Sequence, residues 1–432
     1  MELSGLSESA ALSKTSKQLG ITEMAVKGLA YRLLYETVRR KNYLDRLIDE
    51  ALKPSSLNDY DLGVRAFLRL YAYKTKIERE GNVHKRAVET AHTGRAVLGW
   101  EALQPVEKAL GKLLSIPERS VFEGLGDADK VALSTFHPAF FVEYCFRLFG
   151  RSEALKFLAS SQKSLPLYIR LNTLKAPDEE IVAALGKEGL TVEKISALEH
   201  VFKIVKAKQP LVKTQSFRQG FFCMEDASSA LVAEAATAKP AKTVFDVCAA
   251  PGAKTSHMAM QMKNTGEICA LDYSKRGMRA LKANLARYSV ENVSLVRADA
   301  RTSLPLGEPA NLVLLDAPSS ESGILSSVPS AKWRLTSEFI ARMEKVQWQM
   351  LRSCASAVFE GGVLVYCTNS VCVEENETQV EHFLRAFPEF KLVEAVPRVG
   401  LPGLRGFEKC QRIYPHVHRC EGAFLARFKR ES

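Results

Sequence analysis

Four aspartates in the second half of the chain have the spacing of nucleotide-binding residues. Asp246, Asp272, Asp299 and Asp316 each lie at or just after a short apolar run. Asp272 comes 20 positions after Gly252 (272 − 252), where a carboxylate binds ribose hydroxyls in α/β nucleotide-binding folds. A single aspartate at such a place is commonly a helix cap or a turn residue. Four in succession instead predict one binding site, with Asp299 accepting a hydrogen bond from an adenine amine.

The turn after the first apolar run is made of small residues, so a ligand can approach its backbone closely. It does not match a phosphate-binding loop, because the Gly-x-x-x-x-Gly-Lys-Ser/Thr pattern is absent and the turn has one glycine. A nucleotide without phosphates that carries a charged sulfonium fits it better than ATP or NAD. The predicted cofactor-binding residues are Cys248, Ala249, Ala250, Pro251, Gly252, Ala253, Lys254, Asp272, Asp299 and Asp316.

Short apolar runs that alternate with helical stretches would position these side chains. The runs are 244–248, 267–271, 293–297, 312–315 and 363–367. Continuously apolar strands alternating with helices are typical of a parallel sheet covered on both faces. Ligands of such sheets bind at the carboxyl ends of the strands. We therefore predict a Rossmann-like α/β domain over residues 226–432.

Two segments precede this domain. Residues 1–155 carry apolar side chains at three- and four-residue spacing, which predicts an all-helical domain. Residues 156–225 contain short β-rich runs and one helix, and they predict a small α+β region. No stretch approaches the roughly 20 apolar residues of a membrane-spanning helix, and the start lacks the features of a signal peptide. Nine scattered cysteines without metal-site spacing predict reduced thiols and no metal. We expect a cytoplasmic monomer.

The charge of the chain predicts a polyanionic partner. The net charge is +11 and the isoelectric point is about 9.1, which favours binding to nucleic acid. No acidic residue lies between Lys203 and Arg218. A solvated basic face is one interpretation of this segment, and a surface that binds RNA phosphates is the other. On the second interpretation the RNA-binding residues are Lys206, Lys208, Lys213 and Arg218.

Several segments together resemble the NOL1/NOP2/Sun family and its bacterial member RsmB, which are RNA cytosine-C5 methyltransferases that use S-adenosylmethionine. Residues 246–255 resemble the family's cofactor loop, with Ala253 where a second glycine is usual. Residues 315–323 resemble its active-site loop, and residues 366–370 followed by 374–377 resemble its second catalytic motif. Four further segments also match: 170–172, 225–229, 412–416 and 421–424.

The resemblance also implies a function for each of the three segments. The helical segment is similar to the NusB-like domain of RsmB, which implies RNA binding and favours rRNA over tRNA as the partner. The strand that carries Arg170 and Asn172 lies in the α+β region, so both residues join the predicted RNA contacts. The α/β domain would bind S-adenosylmethionine and perform the methyl transfer.

The resemblance implies covalent chemistry for which this chain lacks the residues. In the family a cysteine thiolate adds to C6 of cytosine, and a second cysteine assists release. Asn369 stands at the position of the nucleophile and Ser319 at that of the second cysteine. An amide cannot replace a thiolate. Cys367 and Cys372 lie close by in sequence, but neither occupies the position of the nucleophile, and the geometry of attack disfavours a shift.

Several hypotheses follow. The leading one is methylation of the exocyclic N4 amine of cytosine without a covalent adduct, because this nitrogen can attack the methyl group directly. Its alternatives are C5 methylation by a displaced nucleophile, a catalytically degenerate RNA-binding relative, and a small-molecule methyltransferase, which the basic middle segment disfavours. For N4 methylation the predicted catalytic residues are Asp316, Pro318, Ser319, Lys254 and Asn369.

Overall fold

The computed structural model describes residues 6–237, 242–302, 304–305 and 307–431. The chain forms two compact units, one of Met1–Gln162 with Val328–Arg334 and one of Lys163–Ser327 with Leu335–Ser432. The first division falls after Gln162 and not after residue 155, because a helix continues to Ser160. The segment 156–225 has a sheet of its own, but most of it belongs to the same compact unit as the C-terminal residues.

The first unit is helical, as the apolar periodicity predicts, and no strand falls within its described residues. In α3, for example, Leu44, Leu47, Ile48 and Ala51 follow helical spacing and are all buried. The last helix is interrupted at Gly150. The helices are α1 Glu8–Gln18, α2 Met24–Arg39, α3 Lys41–Leu52, α4 Leu62–Ala72, α5 Val83–Leu98, α6 Trp100–Leu103, α7 Glu107–Ser115, α8 Asp127–Thr135 and α9 Ala139–Ser160.

A short stretch from the second half of the sequence completes the first unit. The Ser330 backbone N–H and hydroxyl donate to the buried Glu8 carboxylate at 2.6 and 3.2 Å. The indole of Trp333 donates to the Val38 carbonyl at 2.6 Å. Lys332 is fully buried and donates to the Ser161 hydroxyl at 3.2 Å. Hydrogen bonds to α1 and α2 therefore hold this stretch within the helical unit.

A four-stranded antiparallel sheet opens the second unit. Its strands have the order β2-β3-β1-β4. Ile169, Phe202 and Phe222 pack on one face against Ile181 and Leu185 of the neighbouring helix. The elements are β1 Tyr168–Leu171, α10 Asp178–Lys187, β2 Leu190–Lys194, β3 Val201–Ala207, α11 Gln215–Arg218 and β4 Phe222–Met224.

A nine-stranded sheet forms the rest of the second unit and confirms the Rossmann-like prediction. The order is β11-β12-β13-β9-β8-β5-β6-β7, and β10 also pairs with β13. The elements are α12 Ala227–Ala236, β5 Thr243–Asp246, α13 Ala253–Gln261, β6 Glu267–Leu271, α14 Lys275–Arg287, β7 Val293–Val296, β8 Ala310–Asp316, α15 Ser337–Ala355, β9 Val358–Thr368, α16 Glu377–Ala386, β10 Phe390–Val393, β11 Leu401–Pro402, β12 Gln411–Ile413, α17 Pro415–His418 and β13 Ala423–Arg430.

The five strands predicted to be parallel are parallel, and the sheet also contains four C-terminal strands that the sequence analysis did not predict. Strands β5 to β9 are parallel, whereas β10 to β13 join the sheet antiparallel. The late strands follow one another through connections too short for a crossover helix, so the chain reverses direction at each one.

The order of the strands creates a crevice beside β5. From β5 the chain continues to β6 and β7 on one side and then crosses to β8 on the other. Connections therefore leave the carboxyl ends of β5 and β8 in opposite directions, which is where ligands bind in open α/β sheets. None of the helices in the described part of the chain is both long and apolar enough for a membrane span.

Candidate cofactor and active site

A cavity of about 300 Å³ lies at the carboxyl ends of β5, β6 and β8. It contains both predicted cofactor residues and predicted catalytic residues. The parallel pairing of β8 and β9 sets Asp316 opposite Cys367, which brings the loops after the two strands to the same edge. The lining residues are Val247, Cys248, Ala250, Asp272, Tyr273, Ala298, Ala300, Asp316, Ala317, Pro318, Ser319, Glu321, Met350 and Asn369.

The turn after β5 is fixed by its hydrogen bonds to neighbouring elements. The Ala249 N–H donates to the Leu271 carbonyl at 2.8 Å, and the Ala250 N–H donates to the Asp272 carboxylate at 3.2 Å. Asn284 donates to the Pro251 carbonyl at 2.9 Å. Of the predicted cofactor residues of this segment, Cys248 and Ala250 line the cavity, whereas Ala249, Pro251 and Gly252 of the turn and Ala253 and Lys254 at the start of α13 do not.

Two glycines allow this turn to pack closely against α14. Gly252 has φ +104°, and a Cβ there would lie 2.6 Å from Leu281 Cδ1. A Cβ on Gly277 would lie 2.9 Å from Ala250 Cβ and 3.2 Å from Asp272 Oδ1. Sequence reasoning missed Gly277, although a glycine in the first turn of the helix after Asp272 was a readable signal.

Asp246 supports the turn from below and does not line the cavity. Thr255 donates to its carboxylate at 2.7 Å. Burial raises the pKa of Asp246 to about 7, and the hydrogen bond from Thr255 opposes that shift. The first of the four aspartates is therefore a structural residue beneath the cofactor turn.

Asp316 forms a partly buried ion pair with Lys254. The Lys254 ammonium lies 2.8 Å from Asp316 Oδ2, and the Cys367 thiol lies 3.3 Å from Oδ1. Burial is the largest single effect and lowers the pKa of Lys254, but Asp316 and the other anionic neighbours together raise it above its ordinary value, so the ammonium stays charged. Lys254 therefore acts on the cavity through Asp316 and does not line it.

Ser319 and Asn369 line the same cavity although they lie 50 positions apart (369 − 319). The Ser319 hydroxyl accepts from the Glu321 N–H at 3.3 Å, which leaves its own proton for another acceptor. The Asn369 carbonyl accepts from the Gly323 N–H at 2.9 Å. The Asn369 side-chain amide makes no hydrogen bond to any residue that the structure describes, so the cavity is bordered by an unused donor and acceptor.

Asp299 is a predicted cofactor residue whose side chain does not line the cavity. Its carboxylate is bound by the Arg301 side chain, with Nη2 to Oδ2 at 2.6 Å and Nε to Oδ1 at 2.9 Å. Its neighbours Ala298 and Ala300 line the cavity, but Asp299 does not. The hydrogen bond that Asp299 would accept from the adenine amine stays a prediction.

Seven lining residues had not been predicted as individual site residues: Val247, Tyr273, Ala298, Ala300, Ala317, Glu321 and Met350. Tyr273 directly follows Asp272 and is 73% exposed, and Glu321 lies in the loop 315–323 with φ +61°. Proximity to a predicted residue was the available signal for both. Ala300 and Met350 carried none, because a small or apolar residue has no chemistry of its own.

Comparison with known proteins shows a likeness to one family. The family model for the 16S rRNA methyltransferases RsmB/F matches residues 234–429. A probable ribosomal RNA small subunit methyltransferase B of Bacillus subtilis is 28% identical over 94% of this chain and 91% of its own length. The chain is therefore similar to the RsmB/F family along most of its length.

Two further likenesses extend over different shares of the chain. The 25S rRNA (cytosine-C(5))-methyltransferase nop2 of Schizosaccharomyces pombe is 32% identical over 68% of this chain, and the chain spans about half of that protein (51%). The crystal structure of the protein PH0851 matches with a TM-score of 0.85 and 28% identity, covering 97% of this chain and 93% of the other. The likeness to PH0851 thus covers nearly the whole of this chain.

The thiols near the site are protonated: Cys367 and Cys372 are buried, and Cys248, which lines the cavity, is half-buried. Burial, followed by the Asp316 carboxylate, raises the pKa values of Cys248 and Cys367 well above the ordinary value. Burial raises the pKa of Cys372 to about 12, and its sulfur lies 3.5 Å from the Ser322 hydroxyl. Neither Cys367 nor Cys372 lines the cavity. A thiolate nucleophile is therefore not available at these positions.

The prediction that Arg170 and Asn172 contact RNA was wrong. Arg170 is 1% exposed and pairs with the buried Glu225 at 2.7 Å, and it also donates to Ser256 at 2.8 Å. Asn172 is 2% exposed and donates to the Gly220 and Tyr288 carbonyls at 2.9 Å each. Both side chains face the interior, because β1 is covered on both faces.

The basic residues of the middle segment are accessible to a partner. Lys206, Lys208, Lys213 and Arg218 are all exposed. Lys206 and Lys208 lie at and just after the end of β3, and Arg218 ends the short helix α11. Their contact with RNA phosphates stays a prediction.

Proposed function

We propose that this chain is an S-adenosylmethionine-dependent RNA methyltransferase that methylates the N4 amine of cytosine without a covalent adduct. The observation that carries this proposal is the composition of the cavity. It unites Asp316 with Ser319 and Asn369, the two residues that replace the family's cysteines, and the nearby thiols are buried and protonated. Structured RNA, with rRNA favoured over tRNA, is the proposed substrate, and cytoplasmic location and a monomeric state remain predictions.

The lining of the cavity fits the proposed cofactor. It contains the carboxylates of Asp272, Asp316 and Glu321 and no cationic side chain. Such a lining favours a cation that bears hydroxyl groups and repels phosphates. Asp272 would bind the ribose, and the turn 248–253 would lie along the amino-acid part of the cofactor. Gly277 has no side chain to press on Ala250 and Asp272, so these two residues can contact the cofactor closely. When bound, S-adenosylmethionine supplies an electrophilic methyl group.

The chemistry of an exocyclic amine requires two hydrogen-bond acceptors. The N4 lone pair of cytosine is delocalised into the ring, so both N–H bonds must be held for that lone pair to face the methyl group. Asp316 is one candidate acceptor. Ala317 offers the other, because its carbonyl accepts no hydrogen bond from the described residues, whereas the Pro318 carbonyl accepts from Gln347 at 2.9 Å. Pro318 therefore helps to fix the loop and leaves the Ala317 carbonyl for the amine.

The ion pair of Lys254 and Asp316 explains how the site would stabilise the charge that develops during methyl transfer. Positive charge develops on N4 as the nitrogen is alkylated, and a preorganised carboxylate stabilises that charge. Lys254 orients the Asp316 carboxylate through an ion pair of 2.8 Å. The excess proton on N4 passes to solvent after transfer. No side chain needs to act as a nucleophile.

Ser319 and Asn369 are proposed to recognise the base. A target base must leave its stack to enter a cavity of this kind. The Ser319 hydroxyl and the Asn369 amide can donate to the N3 and O2 acceptors of cytosine. Adenine presents a different set at this edge, which gives the pair a role in discrimination.

The nucleoside product tests the proposal. The purified chain is incubated with rRNA, tRNA and S-adenosylmethionine, and the digested RNA is analysed by mass spectrometry. N4-methylated cytidine is expected. Formation of 5-methylcytidine would establish the displaced-nucleophile alternative, and the absence of methylation on every RNA would favour the degenerate RNA-binding relative.

A further inference from the structure

A buried carboxylate lies directly behind the two residues that are proposed to contact the base. Glu375 is fully buried and lies in the loop after β9, with its carboxylate directed at the loop after β8. Its Oε2 accepts from the Ser320 N–H at 2.8 Å and from Gln347 at 2.9 Å. Its Oε1 accepts from the Ser370 hydroxyl at 2.7 Å. One carboxylate thus binds both loops.

The residues that Glu375 binds are the sequence neighbours of the site residues. Ser320 follows Ser319, and Ser370 follows Asn369. Gln347 extends the connection, because the same amide nitrogen also donates to the Pro318 carbonyl at 2.9 Å. Both neighbours of Ser319 and one neighbour of Asn369 are therefore held, while the two site side chains stay free to face the cavity.

Two serine hydroxyls join the loops a second time. Ser322 lies 3.1 Å from the Ser320 hydroxyl and 3.0 Å from the Ser370 hydroxyl, and it accepts from the Val371 N–H at 3.0 Å. These groups are buried, so breaking any one of these hydrogen bonds would leave an unsatisfied polar group. The network therefore has a strong preference for one spacing of the two loops.

We propose that Glu375 is a positioning residue that sets the distance between Ser319 and Asn369 across the cavity and takes no part in proton transfer. The inference rests on the proposed function for the role of those two side chains. A displacement of about 1 Å in a positioned group can reduce turnover about 100-fold. Loss of Glu375 should therefore lower turnover while the cofactor turn, which it does not touch, keeps its affinity.

Two substitutions at this position separate positioning from proton transfer. Glu375→Gln can keep the network, because its amide oxygen can accept from Ser320 and Gln347 while its amide nitrogen donates to Ser370. Glu375→Ala removes all three bonds. We expect kcat to fall about 100-fold in E375A and to stay within a few-fold of wild type in E375Q, with unchanged S-adenosylmethionine affinity in both. Glu381→Ala, which removes an exposed carboxylate paired with Arg385, is the matched control and should change neither.

Hydrogen exchange gives a readout that does not depend on the product. Amides in residues 317–323 and 369–373 should exchange faster in E375A than in wild type or E375Q. If E375A does not fold, Ser370→Ala removes a single member of the network and should show the same changes to a smaller degree. Full activity and unchanged exchange in E375A would overturn the proposal, as would equal loss of activity in E375Q. Methylation at another atom would refute the proposed function and leave the exchange result standing.

Discussion

Asp316 has both of its carboxylate oxygens engaged on the protein side, one by Lys254 and one by Cys367. Its charge is what the proposed reaction uses. Asp316→Asn keeps the shape but replaces the anion with a dipole, so kcat should fall about 10²- to 10³-fold, as when one preorganised polar group is removed. Single-turnover methyl transfer measures the effect. Asp127→Asn, at an exposed carboxylate of the first unit, should leave the rate unchanged.

The thiols near the site make a second prediction at the scale of residues. Cys367→Ser keeps a donor for Asp316, and Cys372→Ser keeps a partner for Ser322. Because neither thiol is ionised, both variants should retain kcat within a few-fold. RNA that contains 5-fluorocytidine should form no covalent complex with wild type. Loss of activity in either variant together with a trapped adduct would restore the displaced-nucleophile alternative.

For single residues, the sequence predicted the place of a residue in the fold better than it predicted whether its side chain faces the cavity, the solvent or the interior. Asp272 and Asp316 were found because residues at strand ends share an edge of the sheet. Arg170 was misassigned because its strand resembles a family segment in the α+β region, which was expected to bind RNA. Its burial depends on Glu225 and Ser256, which reach it only in the folded chain. Such partners cannot be identified from local spacing.

At the scale of elements, the fit between the cofactor turn and α14 makes a prediction. A methyl group at Gly277 would press on Ala250 and Asp272. Overpacking of this kind costs about 1–3 kcal/mol, so the Kd for S-adenosylmethionine should rise about tenfold in Gly277→Ala. Isothermal titration measures it. Gly186→Ala, in α10 with open space around the new methyl group, is the matched control and should leave the Kd unchanged.

The contacts of Arg170, which connect β1 to Glu225 and to Ser256 of α13, lead to a prediction about stability. Arg170→Ala leaves the buried Glu225 carboxylate without its main partner, and loss of one member of a buried pair costs about 3–5 kcal/mol. The free energy of unfolding, measured with denaturant, should fall by that amount while the RNA affinity of the folded variant is kept. Lys206→Ala should instead weaken RNA binding and leave the free energy of unfolding unchanged. Weaker RNA binding by folded R170A would support the original assignment of Arg170.

The elements themselves were predictable to different degrees. The parallel strands were found because each is a continuous apolar run set off by helices. Strands β11 and β12 have two and three residues, too few for alternation to be visible. Their place in the sheet depends on pairing with β13, a contact that no local pattern encodes.

At the scale of the whole molecule, the net charge of +11 predicts salt-dependent binding to RNA. Replacing Lys206, Lys208, Lys213 and Arg218 by alanine should reduce the slope of log K against log salt by roughly 0.7 for each RNA phosphate that the variant no longer neutralises. Filter binding over a range of salt concentrations measures the slope. A control without the exposed residues Lys345, Arg385, Lys391 and Lys429 removes the same charge outside the middle segment. Equal effects of both variants would show that the middle segment contributes to RNA binding only through its charge and not as a specific contact surface.

The central claim concerns which atom of cytosine receives the methyl group. RNA with cytidine tritiated at C5 is incubated with the chain and a cofactor whose methyl carbon is labelled, and both labels are counted. Methylation at C5 expels the tritium, whereas methylation at N4 leaves it in place. The account predicts methyl incorporation without release of tritium. Tritium released in proportion to the methyl groups incorporated would contradict it.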